Sequence, residues 1–295
     1  YAAGYGATDM AAIVATGETW LSVPSTIRIE WSGAFGGYVT AKDVMLHLTR
    51  AVGMDNAFRA VEFAGDAVTA MPMSARMVLC NMAAELGAET GVVAPDAVTF
   101  AYLAKTGRPV HDETACLALA SDHDAQFEQQ FRFDAAALEP QIAAPHSPGN
   151  TGPVSGYAGV PIDQAYIGAC MGAKADDLRM AAEILRGRKV APGVRLLIAP
   201  ASHSTFKTAA DEGVLADLIT AGAIIMPSGC GACAGYGGGV LADGEVCISS
   251  TNRNFKGRMG HPGAQVYLGS PYAVAAAAVA GRIVDPRAMA PEAGR

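Results

Sequence analysis

Apolar and polar positions keep different periods in the two halves of the chain. Ser25-Thr-Ile-Arg-Ile-Glu-Trp31 alternates strictly, which predicts a strand with one buried face. On either side of it the repeat is helical. Thr8 or Asp9 is placed to cap a short helix running through Ala15 and closed by Gly17. Thr40, with Asp43 three residues on, has the form of a capping box for a helix over Ala41 to Val52. A short strand is expected over Ala60 to Phe63, a Met- and Ala-rich helix from Ser74 to Leu86 after Pro72, and a helix from Pro95 and Asp96 to Gly107. Between Glu139 and Asp163, Pro, Gly and Ser crowd together and the apolar period disappears, the pattern of a linker or long crossing loop.

Beyond that stretch strands and helices alternate. Strands are expected over Ala165 to Cys170, Val194 to Ala199, Ala223 to Met226 and Glu245 to Ser250. The helices between and after them are expected over Asp176 to Arg186, Ser204 to Gly213, Leu215 to Ala221 and Pro271 to Gly281. This alternation predicts an α/β protein with a parallel sheet covered by helices on both faces. In such sheets ligands gather beyond the carboxyl ends of the strands. The rule puts Cys170, the pair Cys230 and Cys233, and the loop from Asn252 to Arg258 on one rim, although they are far apart in sequence.

Composition narrows the classes of function. With 295 residues, 51% of them hydrophobic and 17% charged, the chain is long enough for more than one lobe and describes a globular protein with aliphatic cores. A net charge of -7 argues against a general nucleic-acid or anionic-membrane binder, while leaving room for a small acidic metabolite held by a local Arg pair. No apolar run reaches the roughly 20 residues of a membrane span, and the alanines from Ala273 to Ala280 read as a tightly packed helix. Six cysteines without a signal-like leader point to a reducing compartment, the cytoplasm, with thiols as ligands or fillers. The chain opens on Tyr1-Ala-Ala-Gly-Tyr-Gly without an initiator Met, and upstream sequence is expected to precede it.

The run Met226-Pro-Ser-Gly-Cys-Gly-Ala-Cys-Ala-Gly-Tyr-Gly-Gly-Gly239 sets two thiols three residues apart on a loop too rich in glycine for helix or strand. A bare CxxC fits a metal or iron-sulfur site, a thioredoxin-like redox pair, a disulfide, or two packing cysteines. Cys170 on the same rim makes three thiols. Zinc would need a fourth ligand, for which His203 or His261 can be nominated. An iron-sulfur cluster normally takes four cysteines, so three would leave one iron open as a Lewis acid. Cys80, Cys116 and Cys247 lie inside helix or strand patterns and read as fillers. Arg253 and Arg258 carry guanidinium forks suited to carboxylates, with Asn252 and Asn254 beside them. Taken alone, that loop is an ordinary surface turn; its rim position raises it. Asn81 and Glu85 stand one turn apart on an otherwise apolar helix, either as site residues or as an exposed stripe.

Several segments carry a family resemblance. Met77-Val-Leu-Cys-Asn-Met-Ala-Ala-Glu-Leu-Gly-Ala88, Tyr166-Ile-Gly-Ala-Cys170, the helix and loop from Asp177 to Val194, Cys230-Gly-Ala-Cys233 and Thr251-Asn-Arg-Asn-Phe-Lys-Gly-Arg258 follow one another as in the aconitase superfamily. The chain resembles most closely the large subunits of 3-isopropylmalate dehydratase and homoaconitase. The resemblance implies aconitase-like three-layer α/β/α domains with mixed or parallel sheets. Residues 1–24 would be the tail of the first domain, 25–145 the second, and 146–295 the third, which carries the cluster ligands.

The resemblance further implies a 4Fe-4S cluster on Cys170, Cys230 and Cys233 as metal ligands. Asn252, Arg253 and Arg258 match substrate-binding positions, and Asn81 and Glu85 match catalytic ones. The implied activity is that of a hydro-lyase large subunit, a dehydratase or isomerase acting on a hydroxy di- or tricarboxylic acid such as 3-isopropylmalate. It would serve leucine biosynthesis as half of a heterodimer. The partner would be a small swivelling-domain subunit bearing a serine base, so this chain alone would be catalytically incomplete. One departure stands out: Ala169-Cys-Met-Gly172 replaces the family's Ser-Cys-Thr-Asn. It gives weight to another substituted malate, or homocitrate or citrate, as substrate. A regulatory RNA binder on the same scaffold is the rival reading.

Overall fold

The structure is a computed structural model that describes residues 5–289, so the opening Tyr1 to Gly4 of the expected Gly-rich lead lies outside the described residues. Its contacts divide the chain into two units: Tyr1–Ala34 with Gly53–Ala136, and Phe35–Val52 with Ala137–Arg295. A division at residues 145 and 146 therefore differs from the observed one, chiefly because residues 35–52 pack with the second unit.

In the first unit, helix α1 (Ala7–Thr16) precedes strand β1 (Ser25–Ser32). The N-cap of α1 is Gly6 without a side-chain bond, so neither Thr8 nor Asp9 caps it, while Gly17 closes it in the left-handed region as expected. After β1 the chain leaves to form α2 (Ala41–Ala51), which belongs to the second unit. It returns through β2 (Arg59–Ala64), the short α3 (Asp66–Thr69) and α4 (Met73–Met82). The helix expected to reach Leu86 gives way to a 3-10 turn over Ala83–Leu86. Strand β3 (Thr90–Val93), α5 (Ala97–Lys105), α6 (Glu113–Leu117) and β4 (Gln129–Asp134) complete the unit.

The strands form one parallel sheet in the order β3-β2-β1-β4. The alternation read in β1 is the alternation observed: Ile27, Ile29 and Trp31 are buried, Arg28 and Glu30 half-buried. Trp31 stacks on Phe133 of β4 with ring centres 4.8 Å apart.

The second unit adds β5 (Gln141–Ala143), β6 (Thr151–Pro153), β7 (Gln164–Ile167), α7 (Ala175–Leu185), β8 (Arg195–Ile198), α8 (His203–Asp211), α9 (Val214–Ala221) and β9 (Ile224–Ile225). Strands β10 (Val246–Ser249) and β11 (Gln265–Leu268) and helix α10 (Pro271–Ala280) follow. The order is β6-β5-β11-β10-β7-β8-β9; the last five run parallel, and β5 is antiparallel to both its neighbours. The expected linker from Glu139 to Asp163 thus contains the edge strand β6 and its neighbour β5, with Ile142, Ala143 and Val154 fully buried.

Successive residues of the central strands join different cores, as a pleated strand requires. Ala165 and Ile167, Leu196 and Ile198, and Ile248 pack with Leu178, Leu185, Leu218 and the buried alanines of α10. Tyr166, Leu197 and Cys247 pack instead with Leu46 of α2, Val266 and Leu268. One face of this α/β sheet is therefore covered by α7, α9 and α10, and the other by α2 and by the loops that carry Ala169, Ala232 and Met259. The capping box of α2 is present: Thr40 Oγ1 accepts from the Lys42 amide, and Asp43 Oδ2 accepts from the Thr40 amide at 2.8 Å. Among the described residues, no helix is long and apolar enough to cross a membrane.

Candidate functional site

Strands β7, β9 and β10 run parallel in one sheet, and the three singled-out segments begin at their carboxyl ends. After β7 the chain turns through Ala169 at φ 71°, a left-handed conformation unusual for a residue with a side chain, and leaves Cys170 exposed. After β9 it runs to Cys230, exposed, and through a 3-10 turn over Gly231–Ala234 that carries Cys233, buried. Gly231, at φ 47°, makes that turn possible. After β10 comes the loop from Ser250 to Arg258.

Hydrogen bonds bind these loops to one another. Ser250 Oγ donates to the Gly172 carbonyl at 2.9 Å and accepts from the Gly168 amide at 3.1 Å, so the β10 loop holds both ends of the Cys170 turn. A Cβ on Gly172 would stand 2.3 Å from the Ser250 carbonyl oxygen, so only glycine fits there. The Tyr166 hydroxyl donates to the Cys230 carbonyl at 3.3 Å; burial first, then the neighbouring Cys233, pushes this phenol up to about 12.

Burial raises the Cys233 thiol above its ordinary value, Arg258 pulls it back by charge and by a side-chain hydrogen bond, and Cys230 and Cys170 push it up again. The buried thiol therefore feels both exposed thiols and Arg258. All six cysteines are free, so the CxxC is not a disulfide. The raised, buried Cys233 sits in a four-residue 3-10 turn, which by itself does not separate a redox pair from a ligand pair. Among the described residues no three His, Cys, Asp or Glu side chains form a ready-made metal-holding group, which separates neither zinc nor a cluster from the other readings. His261 bonds the Gly263 amide through Nδ1 and sits 3.1 Å from Asp243, and His203 is the exposed first residue of α8. Burial pushes the thiols of Cys80 and Cys247 up to about 11 and about 12, as for inert packing groups.

Arg253 is exposed, Asn252 and Arg258 half-buried and Asn254 buried. Asn254 Nδ2 donates to the carbonyls of Ala144 at 2.7 Å and Val266 at 3.0 Å, which makes it an anchor of the loop. Its Oδ1 and the Arg258 Nε are buried without a hydrogen-bond partner, unusual for groups of this polarity. Asn81, exposed near the end of α4, and Glu85, buried in the 3-10 turn that follows, belong to the first unit. The change of helix type between them means that the shared face of an uninterrupted α-helix is not available.

Tyr166, Ser250 and Lys42 were not legible as site residues. Tyr166 reads as one more apolar strand position and Ser250 as a strand end. Lys42 does leave a signal, because a lysine in the first turn of a helix opposes the helix dipole. Its Nζ donates to the Thr251 carbonyl at 2.7 Å.

Comparison with known proteins bears on this rim. The family model described as "Aconitase family (aconitate hydratase)" matches residues 1–159 and 152–281. The chain is 46% identical to the 3-isopropylmalate dehydratase large subunit 1 of Methanopyrus kandleri, an alignment covering 97% of this chain and 68% of that one. It is 44% identical to the probable methanogen homoaconitase large subunit of Methanothermobacter thermautotrophicus, covering 97% and 66%. With the 3-isopropylmalate dehydratase large subunit of Oleidesulfovibrio alaskensis it shares 46%, covering 98% and 68%. The chain thus spans about two thirds of the length of these relatives.

Proposed function

The chain belongs to the aconitase family, and from that membership we propose that it is the cluster-bearing large subunit of a hydro-lyase. Its substrate would be a hydroxy di- or tricarboxylic acid such as 3-isopropylmalate. The observation that carries the reading is the placement of three free thiols and an Arg- and Asn-bearing loop after the carboxyl ends of parallel strands of one sheet, with loops hydrogen-bonded to one another. The two units are assigned to the second and third domains of the family fold.

The residues fit an iron-sulfur cluster in kind. Cys170, Cys230 and Cys233 are thiols without a competing disulfide, and the buried Arg258 Nε beside Cys233 lacks an acceptor that a sulfide-rich group would supply. When bound, a 4Fe-4S cluster held by these three cysteines supplies a Lewis acid at its unligated iron that weakens the bond to the departing hydroxyl. Arg253 and Arg258 take substrate carboxylates through paired N–H donors, with the Asn252 amide beside them. Glu85 and Asn81 are assigned as the catalytic pair of this chain, Glu85 exchanging the proton of the water lost or added. A small swivelling-domain subunit completes the enzyme with the base for the carbon-bound proton. Six free cysteines support a reducing, cytoplasmic setting.

The Ala169 to Gly172 turn favours a second substrate. Gly172 leaves no side chain where the loop meets Ser250, so the surroundings of Cys170 differ from the Ser-Cys-Thr-Asn pattern, and another substituted malate or homocitrate is the alternative. The test is anaerobic reconstitution with iron and sulfide together with a small subunit. The protein should gain broad absorption toward the blue end of the visible and hydrate an unsaturated dicarboxylic acid. Cys170→Ser, Cys230→Ser and Cys233→Ser should each lose both. A colourless, zinc-loaded protein with full activity would overturn the proposal.

A further inference from the structure

Lys42 stands at the second position of α2, yet it is only 5% exposed. A buried ammonium must be held by acceptors or its desolvation is uncompensated. Here Nζ donates to the carbonyl of Thr251, itself fully buried and directly before Asn252 and Arg253. The base from which Lys42 reaches is fixed. Asp43 Oδ1 accepts from the Gln141 amide at 2.8 Å, Thr49 Oγ1 donates to the Pro148 carbonyl at 2.9 Å, and Arg50 Nη1 donates to the Thr151 carbonyl at 3.0 Å. Helix α2 is thereby bolted to strands β5 and β6 and the loop between them, in its own unit.

The loop after β10 is then held in three places. Lys42 holds the Thr251 carbonyl, Asn254 holds the carbonyls of Ala144 and Val266, and Arg258 reaches Cys233. Between the first two points lie just Asn252 and Arg253. A two-residue span fixed at both ends has few backbone conformations left, so the direction in which Arg253 leaves the loop follows from where Thr251 and Asn254 are pinned. The contact also brings the Lys42 Nζ to the root of a turn that offers guanidinium groups to an anion. A lysine serves here where an apolar residue of the same length would fill the space, because only a donor can hold the carbonyl.

We propose that Lys42 is a positioning residue for the Asn252 and Arg253 turn, acting through Thr251 without touching the reacting atoms. Its kinetic consequence rests on the hydro-lyase reading above; its structural consequence does not. The test compares Lys42→Met, which keeps length and removes the donor, with Lys42→Arg, which keeps a donor. In the full chain without added iron, amide hydrogen exchange of a peptide covering residues 251–255 should rise about tenfold in Lys42→Met, the loosening expected from losing a charged hydrogen bond. A peptide covering β11 should stay unchanged, and Lys42→Arg should restore most of the protection.

In the reconstituted enzyme with its small subunit, Lys42→Met should raise KM for the hydroxy acid about tenfold with a smaller change in kcat, while the cluster absorption persists. Unchanged exchange at 251–255, or an equal rise across β11, overturns the proposal, the second because it marks a general structural role. An unchanged KM with an intact cluster overturns it as well. If the wild-type enzyme proves inactive on every hydroxy acid, the hydro-lyase reading fails, and the exchange measurement still decides the role of Lys42.

Discussion

At the carboxyl end of the first sheet, the guanidinium of Arg76, 1% exposed, commits four of its five N–H groups to its own unit. It forks onto Asp96 at 2.7 and 2.8 Å and donates to the carbonyls of Met71 and Thr69, while Asp96 caps α5 through the amides of Val98 and Thr99. At the carboxyl end of the second sheet, Arg258 bonds one thiol and keeps its Nε without an acceptor, Asn254 keeps a buried Oδ1 unused, and Cys170 and Cys230 face water. The first rim therefore ties its buried guanidinium to groups of its own unit, whereas the second leaves buried polar atoms of Asn254 and Arg258 unmatched. Polar groups that satisfy one another are evidence of stability; buried polar atoms left unmatched call for an external partner or a function.

The largest expected effect separates the two rims. Asp96→Ala leaves Arg76 buried without its counter-charge and uncaps α5, and should cost about 3 kcal/mol in thermal or urea unfolding. Cys170→Ser and Cys230→Ser, at exposed positions, should leave the stability of the protein without iron within about 0.5 kcal/mol while abolishing the reconstituted activity. Equal destabilisation by both kinds of change would erase the contrast.

A smaller effect probes how tightly the second rim is assembled. Gly172→Ala forces a Cβ to within 2.3 Å of the Ser250 carbonyl oxygen and 2.7 Å of that of Gly168, so the Cys170 turn must move. Overpacking of this kind costs about 2 kcal/mol, and iron-sulfur absorption should fall with it. Gly36→Ala, where a Cβ would meet nothing within 4 Å, is the control and should change neither. If both behave alike, the contact between the two loops has no bearing on the site.

How far the sequence revealed these features follows from the range of the interactions involved. The Thr40 and Asp43 capping box, the alternation of β1 and the thiols at strand ends are local patterns, and the structure bears out those elements. Strands β3, β4 and β11 were missed because they are short or partly exposed and lack a sustained apolar period, Thr90-Gly-Val-Val93 being typical. The short strands β5 and β6 hide among prolines and glycines, where single residues such as Ile142 and Val154 supply the burial. Tyr166, Ser250 and Lys42 act through residues 64, 78 and 209 positions away, a distance no window along the chain can span.

The smallest effect contrasts two carboxylates by pH. Arg76 above all holds the Asp96 carboxyl below the ordinary carboxylate range. A depressed carboxylate stabilises the fold above its unfolded value, and that contribution is lost as pH falls through the folded one. Asp43, of the second unit, is fully enclosed, and burial raises it to about 6 against the opposing bonds from Gln141 and Thr40. Its folded form holds a proton that the unfolded chain releases near pH 4, so this contribution is complete below pH 4 and is lost as pH rises toward 6. Melting temperatures across this range should therefore decline by a few degrees between pH 4 and 6 through Asp43, and decline again on acidification below pH 4 through Asp96. Asp43→Asn should flatten the first limb and leave the second; Asp96→Asn should do the reverse. Because Asp96 is partly open to water, its limb should be the shallower and should weaken further in high salt, whereas the enclosed Asp43 limb should not.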